Sequence, residues 1–217
     1  MPSLSRSIII RNLLAAVSLS FALAATAGVY EDILVAARNS DTAKVIELLQ
    51  KGLDVNTSDP NGDTLVMIAA RNGNDDLLEF LLRSRANILK QNKYGDSPIM
   101  AATMMGRTGT VKRLLDAGAD IQNKGWNALH YAAYSGHTEI ARLLVERKAD
   151  LDARAPNGQT ALMLAASAGY LDVVKVLVES DADMDVEDAE GNTAITLAEK
   201  HAHSQVADYL RTEGAVE

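Results

Sequence analysis

Apolar positions along the chain fall into short runs of two alternating kinds. One kind is nearly continuous, as in "TLVMIAARN" from Thr64 and "TALMLAASA" from Thr160. The other places apolar residues at i, i+3, i+4 and i+7, as in "DDLLEFLLR" from Asp75, "EIARLLVER" from Glu139 and "DVVKVLVES" from Asp172. The second pattern predicts amphipathic helices with one buried stripe, and the first predicts short helices. Thr64, Ser97, Asn127, Thr160 and Thr193 stand at the head of these apolar runs. Each has a side chain able to accept from the free amides of a first helical turn, and Pro98 suits the position after the cap. Ala69-Ala70, Ala132-Ala133 and Ala165-Ala166 keep these helices thin enough for close approach. Polar connectors such as "ADLDARAPNG" link one pair of helices to the next.

The pairs repeat. A Gly-x-(Thr/Ser/Asn) step opens an apolar run at Gly62, Gly95, Gly125, Gly158 and Gly191, with spacings of 33, 30, 33 and 33. Gly73, Gly106, Gly136 and Gly169 keep the same rhythm inside the pairs, with Ser40 and Ala202 at the corresponding places in the end units. A fixed period of this length is the signature of a stacked array, in which each unit buries its apolar face on its neighbours. The 30-residue step removes three residues from the connector before "GWNALH", and Trp126, the only tryptophan, stands at that gap.

Composition agrees with an all-α array. Of 217 residues 47% are apolar but only 4% aromatic, so the packing material is Ala, Leu, Val and Met. The first 27 residues differ from the rest: Arg6 and Arg11 are their only charges, an apolar stretch runs from Leu13 to Ala25, and Ala25-Thr26-Ala27 ends in small residues. This is the layout of a secretory signal peptide cut before Gly28, and the apolar stretch is shorter than the roughly 20 residues a spanning helix needs. Removing two arginines and no acid would take the net charge from −8 to −10. Such an acidic product is expected to avoid nucleic acid and anionic lipid. The chain has no cysteine, which excludes disulfides, thiol catalysis and cysteine metal sites. An exported, disulfide-free protein fits a bacterial periplasm.

The unit "GWNALHYAAYSGHTEIARLLVERKADLDA" resembles the ankyrin repeat family pattern of Gly-x-Thr-Pro-Leu-His-x-Ala-Ala-x-x-Gly, a second helix, then Gly-Ala-Asp. The resemblance extends from about Tyr30 to Gly214. It implies an ankyrin-repeat solenoid of about six helix-turn-helix units with hairpin-like connectors, filling residues 28–217. The expected divisions are an N-terminal cap at about 30–60, repeats at about 61–93, 94–123, 124–156 and 157–189, and a C-terminal cap at about 190–217. The family histidine survives only as His130, with Met67, Met100, Met163 and Thr196 elsewhere. Where the family has glycine after the second helix, Gly52, Gly118 and Gly214 are kept but Arg85, Lys148 and Asp181 replace it. Positive φ there would cost those side chains roughly 1 kcal/mol.

No constellation for catalysis emerges. "GRTG" from Gly106 lacks the lysine and spacing of a phosphate loop. His201 and His203, two apart on a presumed helix, would point to different sides, which argues against a metal. The acidic run "ESDADMDVEDAEG" lacks the calcium-loop register. The expectation is therefore a non-enzymatic protein with no cofactor and no metal.

Surface remains. By resemblance, connector tips and the ends of first helices line a continuous concave face. Its residues include Asp63, Tyr94, Asp96, Met104, Met105, Trp126, Tyr134 and Gln159, and its aromatics and methionines gather in the two middle repeats. That composition matches the core of a protein interface with a polar rim. The short connector would make room for a partner with Trp126 as an anchor; the other reading is that Trp126 folds over the stub and fills the space itself. The resemblance implies a monomer holding one protein partner, as an immunity protein against a toxic enzyme or in peroxide defence. The alternative is a periplasmic small-molecule or metal-binding protein.

Overall fold

The computed structural model describes residues 28–215. The expected signal segment, residues 1–27, lies outside the described residues. Helices follow in six pairs. The described part of α1 covers 28–38, and α2 is Thr42–Gln50. Then come α3 Leu65–Asn72 with α4 Asp75–Arg83, and α5 Pro98–Met104 with α6 Thr108–Asp116. They continue with α7 Ala128–Tyr134 and α8 Thr138–Glu146, α9 Ala161–Ala168 and α10 Leu171–Val178, and α11 Ala194–Lys200 and α12 Ser204–Glu213. Among the described residues there is no strand, only an isolated bridge between Ser58 and Thr64.

The two hydrophobic patterns become two layers. First helices pack on one another in order, α3 on α5, α5 on α7, α7 on α9 and α9 on α11, and bury nearly every position, as with Leu65 to Ala70 in α3. Second helices bury one stripe only, Leu77, Leu78 and Leu81 in α4 or Ile140, Ala141 and Leu144 in α8. The core is thus a sheet of aliphatic side chains running the length of the stack.

Local chemistry sets the ends of each helix. Thr64, Asn127, Thr160 and Thr193 each accept from the third amide of the following helix. Ser97 does not: its hydroxyl is buried with no partner and α5 starts on Pro98 alone, which corrects the expectation of five equal caps. The turns inside the pairs have positive φ at Ser40, Gly73, Gly106, Gly136, Gly169 and Ala202, as their rhythm predicts. Arg85, Lys148 and Asp181 also take positive φ, at 58°, 64° and 69°.

Side chains from the next unit cover the inner glycines. The rings of His137, Tyr170 and His203 lie over Gly106, Gly136 and Gly169, so close that a Cβ would meet them at 2.8, 2.7 and 2.5 Å. Arg107 covers Gly73 in the same way and donates from Nε to the Arg71 carbonyl at 3.2 Å. His201 and His203 do not diverge on one helix. They flank the turn between α11 and α12, with ring centroids 6.5 Å apart and planes 20° from parallel.

Candidate functional site: a groove at the shortened connector

Full-length connectors end in a hydrogen-bonded tip. The Asp59 amide donates to the Asp63 carbonyl and the Gly62 amide to the Asp59 carbonyl, and the pattern recurs at Asn92 to Asp96, Ala155 to Gln159 and Asp188 to Asn192. Neighbouring tips are joined by a rung from the Lys93 amide to the Asn61 carbonyl at 2.9 Å, and another from Ala189 to Asn157 at 3.1 Å. The connector at 117–127 has neither tip nor rung among the described residues. Counting by the repeat, Tyr94 holds the acceptor position of Asn61, and Pro156 holds the donor position of Lys93. Proline has no N–H to give, so the fourth connector could not continue the ladder. Gln122 ties the stub down instead, donating from Nε2 to the Lys148 carbonyl at 2.9 Å and accepting from the Asp150 amide at 3.2 Å.

Space opens on both flanks of this stub. On one side Gln122, Asn123, Lys124, Asp150 and Arg154 border a polar depression of about 490 Å³, and the Asn123 side-chain oxygen is buried without a partner. On the other lies a groove of about 450 Å³ between the third and fourth units. Its walls come from the tip residues Tyr94 and Asp96, Met100 and Met104 of α5, Lys124, Gly125 and Trp126 of the stub, Tyr131 and Tyr134 of α7, and Pro156.

Trp126 packs on its neighbours and also borders open space. It is half-buried against the core, with its ring 5.1 Å from Tyr131 and 5.6 Å from Tyr134, the latter edge-on at 75°. It also lines the groove. Tyr131 fastens one unit to the other by donating its hydroxyl to Asp96 Oδ1 at 2.7 Å. Burial first, and then the Asp96 carboxylate, push the Tyr131 hydroxyl well above its usual pKa. Beside Trp126, with ring centroids 5.9 Å apart, His130 accepts at Nδ1 from the Asn127 amide at 3.3 Å and donates from Nε2 to the Ala153 carbonyl at 3.0 Å. Burial holds the pKa of His130 below its ordinary value, although contacts with the Gln159 and Ala153 backbones and Asp150 oppose the shift.

The expected surface residues divide. Tyr94, Asp96, Met104, Trp126 and Tyr134 come together at the groove, and Tyr94 and Tyr134 are the most open, at 75% and 59%. Met105 is exposed at the end of α5 but is not part of the wall. Gln159 is turned into its own connector, accepting from Asn157 at 2.8 Å. Asp63 corrects the row of exposed positions: it is 7% exposed, ion-paired to Arg71 at 2.7 Å and accepting from Asn92 at 2.8 Å. Burial raises the pKa of Asp63, but bonds from Arg71 and Asn92, with the charges of Arg71 and Arg38, outweigh it and leave it lowered. Met100, Lys124, Tyr131 and Pro156 were missed as wall residues. Aligning the units by 33 residues exposes Pro156 as a proline at a donor position; nothing local marks Tyr131, whose partner lies 35 residues away.

Paired helices stacked on a regular period, with turned connectors along one edge, define a helical repeat solenoid. A family model described as ankyrin repeats (three copies) matches residues 33–124, 75–155 and 149–216, and the chain belongs to the ankyrin repeat family. No curated protein gives a significant match. Membership points to a protein–protein interaction module. No helix among the described residues is long and apolar enough to cross a membrane, and no cluster of three potential metal ligands occurs among them.

Proposed function

We propose that the protein is a periplasmic binding module without chemistry of its own, a monomer that holds one protein partner in the groove between its third and fourth units. The groove itself carries this reading. Tyr94, Met104, Trp126 and Tyr134 gather the side chains that dominate interface cores, on a helical base and beside the connector that, among the described residues, lacks a hydrogen-bonded tip. Export is supported by the basic, apolar and small-residue order of residues 1–27 and by the absence of cysteine. An inhibitor of a toxic enzyme and a helper in peroxide defence both fit such a module. A toxin gene beside this one would favour the first, and peroxide sensitivity on deletion the second.

The test is affinity capture from a periplasmic extract of the source organism. The parent protein serves as bait beside a Trp126→Ala, Tyr134→Ala double variant, both shown folded by circular dichroism. A protein held by the parent and released by the variant is the expected result. Retention by both baits would place the binding face elsewhere. A second reading has one observation in its favour: about 450 Å³ falls in the range of small-ligand sites. A small molecule that raises the melting temperature of the parent but not of the double variant would support it.

A further inference from the structure

Comparison of equivalent positions exposes an unbalanced charge in the groove. The residue between Gly and the cap meets the residue two before the helix-ending turn on the first helix of the second and fourth units. In the second unit they are Asp63 and Arg71, joined as an ion pair at 2.7 Å. In the fourth they are Trp126 and Tyr134, with ring centroids 5.6 Å apart. In the third they are Asp96 and Met104. The acid is kept and its arginine has become a thioether. Among the described residues Asp96 makes no ion pair, and its carboxylate takes one hydrogen bond, from Tyr131. The half-buried carboxylate thus sits in the wall of a groove shared with the rings of Tyr94, Trp126 and Tyr134. Carboxylates favour bidentate guanidinium partners, and the faces of aromatic rings attract cations. The chain as a whole carries a net charge of −8, which suits a basic partner.

We propose that the groove receives an arginine side chain of the protein partner, seated on Asp96 in the place that Arg71 occupies beside Asp63. This rests on the reading of the groove as a protein-binding site and adds the chemistry it recognises. Lys124 borders the same groove without pairing to Asp96, and its charge opposes the incoming guanidinium. That repulsion acts on every cation alike, so the preference for a planar guanidinium comes from the Asp96 carboxylate and from the rings of Tyr94, Trp126 and Tyr134.

Trp126 is the only tryptophan and stands in the wall, so its fluorescence reports directly on occupancy. The protein, as its host produces it, is titrated at constant ionic strength with N-acetyl-arginine amide and, in parallel, with the uncharged isostere N-acetyl-citrulline amide. The arginine compound is expected to give a saturable change, with citrulline at least about tenfold weaker. Equal responses to both compounds, or no saturable response to arginine, would overturn the proposal. Asp96→Asn is expected to abolish the difference between the probes. Met104→Arg restores an internal cation and is expected to block the arginine probe while raising the melting temperature. Unchanged binding in a folded Met104→Arg protein would also overturn it. Failure of the two readings is separable. Arginine bound but no protein captured would support the cation seat and sink the protein partner; capture that depends on Trp126 and Tyr134 but ignores Asp96→Asn would do the reverse.

Discussion

Lys148 leaves α8 with φ at 64°, a conformation that brings the Cβ of any L side chain close to its own backbone. Glycine there would remove that strain, and the freer unfolded chain would take back part of the gain. Lys148→Gly is therefore expected to stabilise the fold by up to about 1 kcal/mol, read as a higher urea midpoint with unchanged slope. Gly136 presents the opposite case. Its φ is 72° and a Cβ would stand 2.7 Å from the Tyr170 ring. Gly136→Ala should cost about 2 kcal/mol or more, and adding Tyr170→Ala should return only the steric part, leaving the backbone part in a double-mutant cycle. His130 brings a pH dependence. Its folded pKa is depressed, so the unfolded chain binds the proton more readily and protonation favours unfolding. Stability from this group is complete above the ordinary value near 6.5 and is lost as pH falls from there toward the lower folded value. The melting-temperature difference between the parent and His130→Gln should shrink across that window. A difference constant from pH 8 to pH 5 would refute it.

At the level of the element, what could be read in advance was what is local. Thr64 caps α3 through an amide three residues away, and the turn glycines sit where the rhythm put them, because each depends on its own unit alone. Partnerships between units were hidden. The period says that Asp63 and Asp96 are equivalent; it does not say that Asn92, 29 residues on, closes over the first, nor that Tyr131 reaches back to the second. The short connector was legible as a count of residues, and its consequence, a lost tip and lost rungs, follows from which amides then have no acceptor. The amides of Asn123 to Trp126 have no hydrogen-bond acceptor among the described residues. They should exchange hydrogen faster than those of Asn92 to Asp96 or Ala155 to Gln159 in the native state; equal protection of the three connectors would contradict the missing tip. Restoring the element is the complementary test. Three residues inserted after Gln122, with Pro156→Ala to supply a donor, should rebuild tip and rung. The protein is then expected to keep its helical spectrum while losing the partner captured by the parent.

Across the whole molecule, stability is a sum of unit contributions and of the interfaces between neighbours, so an array opens where an interface is poorest. Between the third and fourth units α5 still packs on α7, and the Tyr131 to Asp96 bond still spans the junction. The connector ladder is absent, Ser97 and Thr103 hold buried hydroxyls without partners at the end and in the body of α5, and Trp126 covers only part of the space beside the stub. The junction that presents the groove is by these terms the weakest in the stack, and a partner seated across it would gain affinity from holding the two halves together. Equilibrium urea unfolding tests this with reporters the chain already has. Trp126 fluorescence reads the junction, and far-ultraviolet circular dichroism reads every helix. The fluorescence transition should come at lower urea than the dichroism transition, and the rebuilt connector should bring the two together. Coincident transitions in the parent would mean that α5 and α7 couple the halves as tightly as any other pair, and the junction would then be a binding surface without being a hinge.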